Sequence, residues 1–208
     1  TSEGDPWKVK VVLLFQRDKE PEMGQWSLIG GWVNVDESAE AAAARVLNRI
    51  TGLSDIYLEQ VSTFTNPNRD PGGRVISIVY YSLIVVDNER LKLSSEYGAE
   101  WWPVNNLPSL IFDHRQMVDL SLEHLRQKAS YNLVGRELLP HNFTLKQLRS
   151  LYCSIFMKDF DPGNFRKKVL SMDVLERLNE KDTSESRKGA YYYRFKPSAQ
   201  SVYPLISI

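Results

Sequence analysis

Apolar and polar positions alternate along this chain in a way that predicts strands and helices in mixed order. Residues 9–16 form an almost unbroken run of valine, leucine and phenylalanine, which is typical of a buried strand. Further strands are predicted at residues 26–29, 56–64, 74–86 and 100–104, where β-branched and aromatic residues are frequent. Helices are predicted after Ser38 and after Asp113, because good N-caps precede runs of helix-forming residues there. The pattern predicts an α+β domain.

The last third of the chain has a different pattern, with two short helices followed by two strands. Thr144 is a suitable N-cap for the first helix, and Asp161 followed by Pro162 is typical of the start of the second. The strands at residues 174–178 and 190–195 flank a polar, basic tip. Helix, helix, strand, basic loop and strand is the layout of a winged helix-turn-helix.

These patterns divide the 208 residues into two domains, as the length allows. We expect the α+β domain at residues 1–130, a linker at residues 131–142 and the winged-helix domain at residues 143–208. The linker is predicted because it contains Gly135 and Pro140 and has no clear hydrophobic period.

Charge is unevenly shared between the two domains, although the whole chain has a formal net charge of zero. Residues 1–130 contain 13 Lys and Arg against 18 Asp and Glu, a net charge of −5. Residues 131–208 contain 13 Lys and Arg against 8 Asp and Glu, a net charge of +5. The asymmetry indicates that the C-terminal domain binds a polyanion, the alternative being a chance distribution of solvated charge.

Cysteine content and hydropathy indicate the compartment. The single Cys153 excludes an internal disulfide framework and is typical of a reducing cytoplasm. No apolar run approaches the roughly 18 residues needed to span a bilayer. We therefore expect a cytoplasmic protein that does not enter the membrane.

Residues 31–53 contain a spaced motif, Gly31-x5-Glu37-x7-Arg45-Val46-Leu47-x-Arg49-Ile50-x-Gly52-Leu53. It resembles the Nudix box, G-x5-E-x7-R-E-U-x-E-E-x-G-U, in which U is a bulky aliphatic residue. The framework residues match, whereas Val46, Arg49 and Ile50 replace the three glutamates that would bind divalent metal. Because Mg²⁺ needs hard oxygen ligands, the resemblance implies a Nudix α/β/α sandwich without catalytic activity, metal or other cofactor.

Two features of this motif have a simpler structural interpretation. Glu37 and Arg45 are expected to form a pair that connects the loop to the helix. The motif as a whole has an ordinary alternative, a helix capped by Ser38 and Gly52 after a glycine turn.

The candidate DNA-binding residues have cationic or amide side chains on the second C-terminal helix or at the tip between the strands. They are Asn164, Arg166, Lys167, Lys168, Arg187 and Lys188. Cations facing one surface neutralise phosphates, and an asparagine amide can pair with adenine. The alternative is a solvated helix face and a charged turn.

Nearly the full length of the chain resembles the Nudix-related transcriptional regulators of the NrtR and AraR type. The resemblance depends on segments 20–24, 26–28, 30–31, 68–71 and 112–114 in the first domain. In the second domain it depends on segments 143–145, 164–167 and 187–190. It implies a homodimer that binds double-stranded operator DNA and releases it when a small molecule occupies the Nudix pocket.

The same resemblance suggests an effector. The NrtR branch responds to ADP-ribose and the AraR branch to L-arabinose. The segment Glu20-Pro21-Glu22-Met23-Gly24 and the degraded box favour the sugar-responsive branch. We therefore expect a repressor of carbohydrate metabolism genes that is released by L-arabinose or a related sugar, with ADP-ribose as the second choice.

A sugar pocket needs several hydrogen-bonding side chains and an aromatic platform. The candidate effector-binding residues are Arg17, Glu22, Trp26, Gly31, Arg69, Asp70, Arg74 and His114, with Trp101 and Trp102 as other possible platforms. Some have structural alternatives: the tryptophans as core, Asp70 as a turn cap and His114 as a partner of the backbone.

Two rival functions stay open at this point. One is an active Nudix hydrolase acting on ADP-ribose or a nucleoside diphosphate sugar, with metal ligands recruited from Asp36, Glu37 or Glu40. The other is a protein-interaction module.

One departure from the family concerns the N-terminus: a Nudix domain usually has a strand ahead of residue 9, so this region is either truncated or built differently.

Overall fold

The structure is a computed structural model that describes residues 11–54, 56–84, 98–131, 134, 138–184 and 187–197. The expected departure at the N-terminus, the ends of two predicted strands and part of the predicted linker lie outside these residues. The chain forms two compact units, one over residues 10–122 and one that includes residues 123 onward. The division falls within one helix, a few residues before the predicted boundary.

The described residues of the first unit form five strands, one long α-helix, a 3₁₀ turn and the start of a second α-helix. In chain order they are β1 (Val11–Gln16), β2 (Trp26–Leu28), α1 (Ala39–Thr51), β3 (Leu58–Phe64), β4 (Ser77–Ser82), β5 (Ala99–Pro103), the 3₁₀ turn (Val104–Asn106) and α2 (His114–Tyr131). The described strand β4 begins three residues later than the predicted strand at residues 74–86.

The strands of this unit form two antiparallel sheets, one with the order β2-β1-β5 and one that pairs β3 with β4. Leu14 in the central strand β1 pairs with Leu28 and Glu100 and has no exposed surface. Trp26 also makes a parallel bridge to Leu110, just ahead of α2. This bridge brings the segment before α2 to the edge of the first sheet.

Helix α1 begins and ends where local sequence rules predict. The Ser38 side chain accepts a hydrogen bond of 3.2 Å from the Ala41 amide. Gly52 ends the helix in the left-handed region at φ 69° and donates its amide to the Asn48 carbonyl at 2.7 Å. Both cap predictions are confirmed.

The second unit has the predicted helix, helix, strand, strand order. It contains β6 (Phe143–Thr144), α3 (Leu145–Phe156), α4 (Pro162–Ser171), β7 (Leu175–Asp182) and β8 (Ala190–Phe195), with sheet order β6-β8-β7. The two-residue strand β6 is not apparent from the sequence, because two residues are too few to show a period. Its pairing with β8 closes the sheet beside α3.

The core of this unit is aromatic and aliphatic. Thr144 caps α3 through a reciprocal capping box with Gln147. Six of its most buried side chains come from β6, α3, α4 and β8: Phe143, Leu148, Tyr152, Ile155, Val169 and Tyr193. Since α4 buries only Phe165 and Val169, most of its surface faces solvent. No described helix is long and apolar enough to cross a membrane.

Candidate effector region and nucleic-acid interface

The loop before α1 is tied to that helix by Glu37 and Arg45. The Arg45 Nε donates to a Glu37 carboxylate oxygen at 2.9 Å, and its guanidinium also donates to the Trp32 carbonyl at 2.9 Å. Glu37 further accepts the Asn34 amide at 2.8 Å. The hydrogen bonds from Arg45 and Asn34 lower the pKa of Glu37 to about 2. The predicted architectural role of this pair is confirmed.

The three positions that hold metal-binding glutamates in the Nudix box carry no oxygen ligand here. Val46 is buried, and a Cβ placed on Gly31 would lie 2.6 Å from its Cγ2. Arg49 is exposed and Ile50 is half-buried. Among the described residues, no group of three or more His, Cys, Asp and Glu could hold a metal ion. These residues do not fit a Nudix metal centre.

Arg69 is the most engaged of the predicted effector residues. Its Nε and Nη2 donate to the two Asp113 carboxylate oxygens at 2.8 and 2.7 Å, and its Nη1 donates to the Ser77 hydroxyl at 2.8 Å. The Arg69 side chain is only 3% exposed. This buried fork joins the loop at residues 66–73 to the start of α2.

His114 lies beside this ion pair at the first position of α2. Its Nδ1 accepts the Leu28 amide at 3.1 Å, so the imidazole binds the backbone of β2. Burial lowers the pKa of His114 to about 4, with Arg69 and Arg17 acting in the same direction and Asp113 opposing them. The backbone bond that we gave as an alternative for His114 is present.

Aromatic side chains surround the same region. The Arg17 guanidinium lies 5.7 Å from the Phe112 ring centroid, and Phe112 meets the His114 imidazole edge to face at 6.0 Å. Trp26 contacts Trp102 edge to face at 5.2 Å. The Trp102 indole N–H is buried without an acceptor in the described part of the chain, as is that of Trp101.

The remaining candidates lie on the neighbouring loops. Asp70 accepts the Gly72 amide at 2.8 Å, which is the turn-capping alternative, and a Cβ on Gly72 would lie 3.2 Å from Pro21. Arg74 is exposed and donates to the Thr65 carbonyl at 2.7 Å. Glu22 is also exposed.

The structure therefore groups most of the predicted effector residues but separates one. The loops at residues 17–25 and 66–73 contact each other, and both connect to segment 110–114 through Arg17, Trp26 and Arg69. Gly31 instead packs against α1. Whether the grouped residues bind an effector stays a prediction.

Sequence reasoning missed several members of this cluster. Asp113 and Ser77 hold Arg69, and Phe112 contacts Arg17. The run Phe112-Asp113-His114 supplies part of the signal, but it does not indicate which residue pairs with Arg69, 44 positions earlier.

Helix α4 presents the predicted DNA-binding side chains to solvent. Asp161 caps it by accepting the Asn164 amide at 2.8 Å, with Pro162 in the first turn. Phe165 and Val169 turn inward. Its exposed side chains include Asn164, Arg166, Lys167 and Lys168, and none of these four makes an ion pair with a described residue.

The turn between α3 and α4 is held by side chains of α3. Arg149 donates to Asp159 at 3.0 Å and to the Phe160 carbonyl at 2.7 Å. The half-buried Cys153 accepts the Phe160 amide at 3.4 Å, and burial raises the pKa of its thiol. The contacts of Cys153 here are structural.

The hairpin of β7 and β8 places Arg187 and Lys188 at its exposed end. Gly189 follows them in the left-handed region at φ 66°, where a Cβ would lie 3.0 Å from the Asp182 carbonyl oxygen. The Lys188 carbonyl accepts the Lys181 ammonium at 3.2 Å. Exposed cations thus lie both on a helix and on a hairpin of one small unit, and such cations can neutralise phosphates.

Comparison with known families also divides the chain into two parts. The profile of the NUDIX domain matches residues 3–120, and that of the NrtR DNA-binding winged helix domain matches residues 135–195. A transcriptional repressor of Acinetobacter baylyi described as ADPR responsive, NtrR, is 30% identical over 188 residues, which cover 88% of this chain and 75% of that protein. The chain belongs to the NrtR-type Nudix-related transcriptional regulators.

A solved structure supports the same family over almost the whole chain. NrtR of Shewanella oneidensis complexed with a 27mer DNA is 32% identical, has a TM-score of 0.75 and covers 93% of this chain and 90% of its own. An ADP-ribose pyrophosphatase of Methanocaldococcus jannaschii is 36% identical over 107 residues, which cover 51% of this chain and 63% of that protein. The predicted fold, a Nudix domain followed by a winged helix, is confirmed.

The predicted branch of the family needs correction. The winged-helix profile and both full-length relatives are of the NrtR type, and these comparisons give no support for the sugar-responsive AraR branch or for L-arabinose. The degraded box misled the sequence argument, because the loss of metal ligands concerns metal binding alone. It does not indicate which molecule the pocket recognises.

Proposed function

We propose that this NrtR-type regulator is a repressor that binds operator DNA as a homodimer through its winged helix. ADP-ribose, bound without hydrolysis in the Nudix domain, releases it from the DNA. The proposed site of action is the cytoplasm. The observation that carries the proposal is the combination of a Nudix box without its three metal-binding glutamates and an exposed cationic helix and hairpin.

ADP-ribose is favoured as effector by two relatives. The Acinetobacter baylyi repressor is described as responsive to it, and the Methanocaldococcus jannaschii enzyme is a pyrophosphatase of the same compound. A sensor and an enzyme of one family can share ligand recognition while differing in catalysis, because recognition and metal binding use different side chains. In this chain Arg17 and Arg74 are the more accessible cations for a diphosphate, since Arg69 is committed to Asp113 and Ser77.

The absence of hydrolysis is supported by the surroundings of the box. Val46 is packed against Gly31, and Arg49 adds a positive charge where a metal ligand is required. Two of the carboxylates considered as alternative metal ligands already have other hydrogen-bond partners. Glu37 is bound by Arg45 and Asn34, and Glu40 accepts the Tyr80 hydroxyl at 3.2 Å.

Release from DNA requires that ADP-ribose bind one dimer geometry better than the other. Only that difference in affinity can shift the equilibrium between DNA-bound and free protein. We infer that the effector favours a spacing of the two winged helices that does not suit the operator.

The experiment is a binding titration with a labelled duplex from the regulator's own upstream region, in the presence of ADP-ribose, AMP or L-arabinose. Of these three compounds, we expect only ADP-ribose to weaken DNA binding and to raise the melting temperature of the free protein. DNA binding that ignores ADP-ribose would refute the sensor role.

Hydrolysis is tested separately by chromatography of ADP-ribose incubated with Mg²⁺ and the protein. We expect no AMP to appear above the rate of a protein-free control. Formation of AMP that is lost in Glu37→Gln would support the active hydrolase, the second candidate function that the pyrophosphatase relative favours.

A further inference from the structure

Two cations on the stem of the hairpin share one aromatic ring. The Arg177 guanidinium carbon lies 4.6 Å from the centroid of the Tyr191 ring, and the Lys181 ammonium lies 4.5 Å from the same centroid. Lys181 is also held by its bond to the Lys188 carbonyl. Both cationic residues are exposed, whereas Tyr191 is half-buried.

The strand register places these three residues on one face of the hairpin. Lys181 pairs with Tyr191 and Arg177 pairs with Tyr193, with an irregularity between residues 177 and 181. Directly paired residues in an antiparallel ladder lie on the same face. Tyr193 lies on this face and is buried in the core. Tyr191 and the two cations therefore lie on the core-facing side of the hairpin, nearer to its tip than Tyr193.

The opposite face of the hairpin has a different charge. Glu176 pairs in register with Arg194 and forms an ion pair with it at 2.9 Å. Asp182 is in register with Ala190 on the same side. The carboxylates of these two pairs therefore lie away from Arg177 and Lys181, and neither cation has an ion pair among the described residues.

Two cations held against one ring repel each other unless an anion lies nearby. Each is within 4.6 Å of the Tyr191 centroid, so their separation is below the Debye length of about 10 Å at 0.1 M salt. The ring offsets part of the repulsion and restricts both side chains. A phosphodiester anion bound beside both cations would offset the rest of the repulsion.

We propose that Arg177 and Lys181, which we call the stem cations, contact the DNA backbone and that Tyr191 is the residue that positions them. The proposal rests on the DNA-binding function proposed above. It extends the interface from the hairpin tip to its stem. The stem cations contribute affinity and orientation, not base recognition, because phosphate contacts carry no sequence information.

The test is the salt dependence of binding between the full-length protein and a short labelled duplex, measured by fluorescence anisotropy. Each lost phosphate contact makes the slope of log K against log salt shallower by about 0.9. We expect Arg177→Gln plus Lys181→Gln to weaken binding and to reduce the slope by about 1.8 per protomer. Glutamine retains most of the aliphatic packing on Tyr191.

Three further variants separate contact, positioning and net charge. Arg194→Gln removes one cation from the opposite face and is expected to leave the slope unchanged. Tyr191→Phe retains the ring and is expected to bind as the wild type. Tyr191→Leu keeps every charge but removes the ring, and we expect an affinity loss of about 2- to 5-fold.

Failure of the proposed DNA-binding function and failure of the inference about the stem cations would give different results. If the wild-type protein does not bind DNA even at low salt, the proposed function fails. If the wild type binds and Arg166→Ala makes the slope shallower, but the double stem variant has the wild-type slope, the inference about the stem cations is overturned alone. A double stem variant indistinguishable from Arg194→Gln would also overturn it.

Discussion

The buried fork of Arg69 gives the sharpest stability prediction. Arg69→Ala removes three hydrogen bonds and leaves the Asp113 carboxylate without its cation. Breaking one side of a buried ion pair costs about 3–5 kcal/mol. Because the Asp113 side chain is 18% exposed, water relieves part of this cost, and we expect a loss of about 2–4 kcal/mol from the free energy of unfolding.

The assay can be restricted to the Nudix domain. Four of the five tryptophans, at positions 26, 32, 101 and 102, lie within residues 10–122, and none lies beyond residue 122. Tryptophan fluorescence during urea unfolding therefore reports mainly on this domain. Linear extrapolation of the transition gives the change in unfolding free energy for each variant.

Matched variants make the result interpretable. Arg74→Ala removes an exposed arginine with one hydrogen bond, and we expect it to cost less than about 1 kcal/mol. Arg69→Lys keeps the charge but loses the planar fork, so an intermediate loss is expected. If Arg69→Ala cost no more than Arg74→Ala, or if its effect were simply additive with that of Asp113→Asn, the argument from the buried pair would be refuted.

Three further predictions concern the caps, packing and protonation. Gly31→Ala should cost about 1–3 kcal/mol because its Cβ would overlap Val46, and fluorescence-detected unfolding should show this extra cost disappearing in a Val46→Ala background. Thr144→Ala should lower the stability of the winged helix by about 1 kcal/mol, measured by circular dichroism, with Thr144→Ser as a control near wild type. His114 has a folded pKa of about 4, below its ordinary value of about 6.5, so its contribution to stability is complete above about pH 6.5 and is lost as the pH falls toward 4. His114→Asn should remove this part of the pH dependence in urea titrations, and an unchanged pH profile would contradict the assignment.

The physical basis of the His114 effect is a single acceptor. Neutral imidazole can accept the Leu28 amide at Nδ1, whereas imidazolium carries a proton there and cannot. Protonation thus removes a backbone hydrogen bond and places a cation beside Arg69 and Arg17, which already lower the pKa of His114.

Local rules in the sequence determined much of the fold. Ser38, Thr144 and Asp161 cap their helices, Gly52 ends α1 and Pro162 lies in the first turn of α4, as their residue types predict. Each of these features depends on residues a few positions away along the chain, so the local sequence is enough to predict where a helix begins and ends. The Glu37–Arg45 pair belongs with them, since a loop and the helix that follows it bring positions eight apart together.

Long-range register decided the rest. The Asp113 carboxylate that pairs with Arg69 lies 44 positions away, and the Leu28 amide that His114 accepts lies 86 positions away. Nothing in the sequence near Arg69 or His114 specifies these two partners. The irregularity between residues 177 and 181 pairs Lys181 with Tyr191, where unbroken pairing from Arg177 and Tyr193 would place residue 179 opposite that ring. A pairing shifted by one residue would reverse the face of the stem cations. The sequence by itself determined helix ends, domain order and the absence of carboxylates at positions 46, 49 and 50. Only the tertiary structure decided which charged groups are used internally and which remain for a ligand or DNA, because that depends on contacts between distant segments.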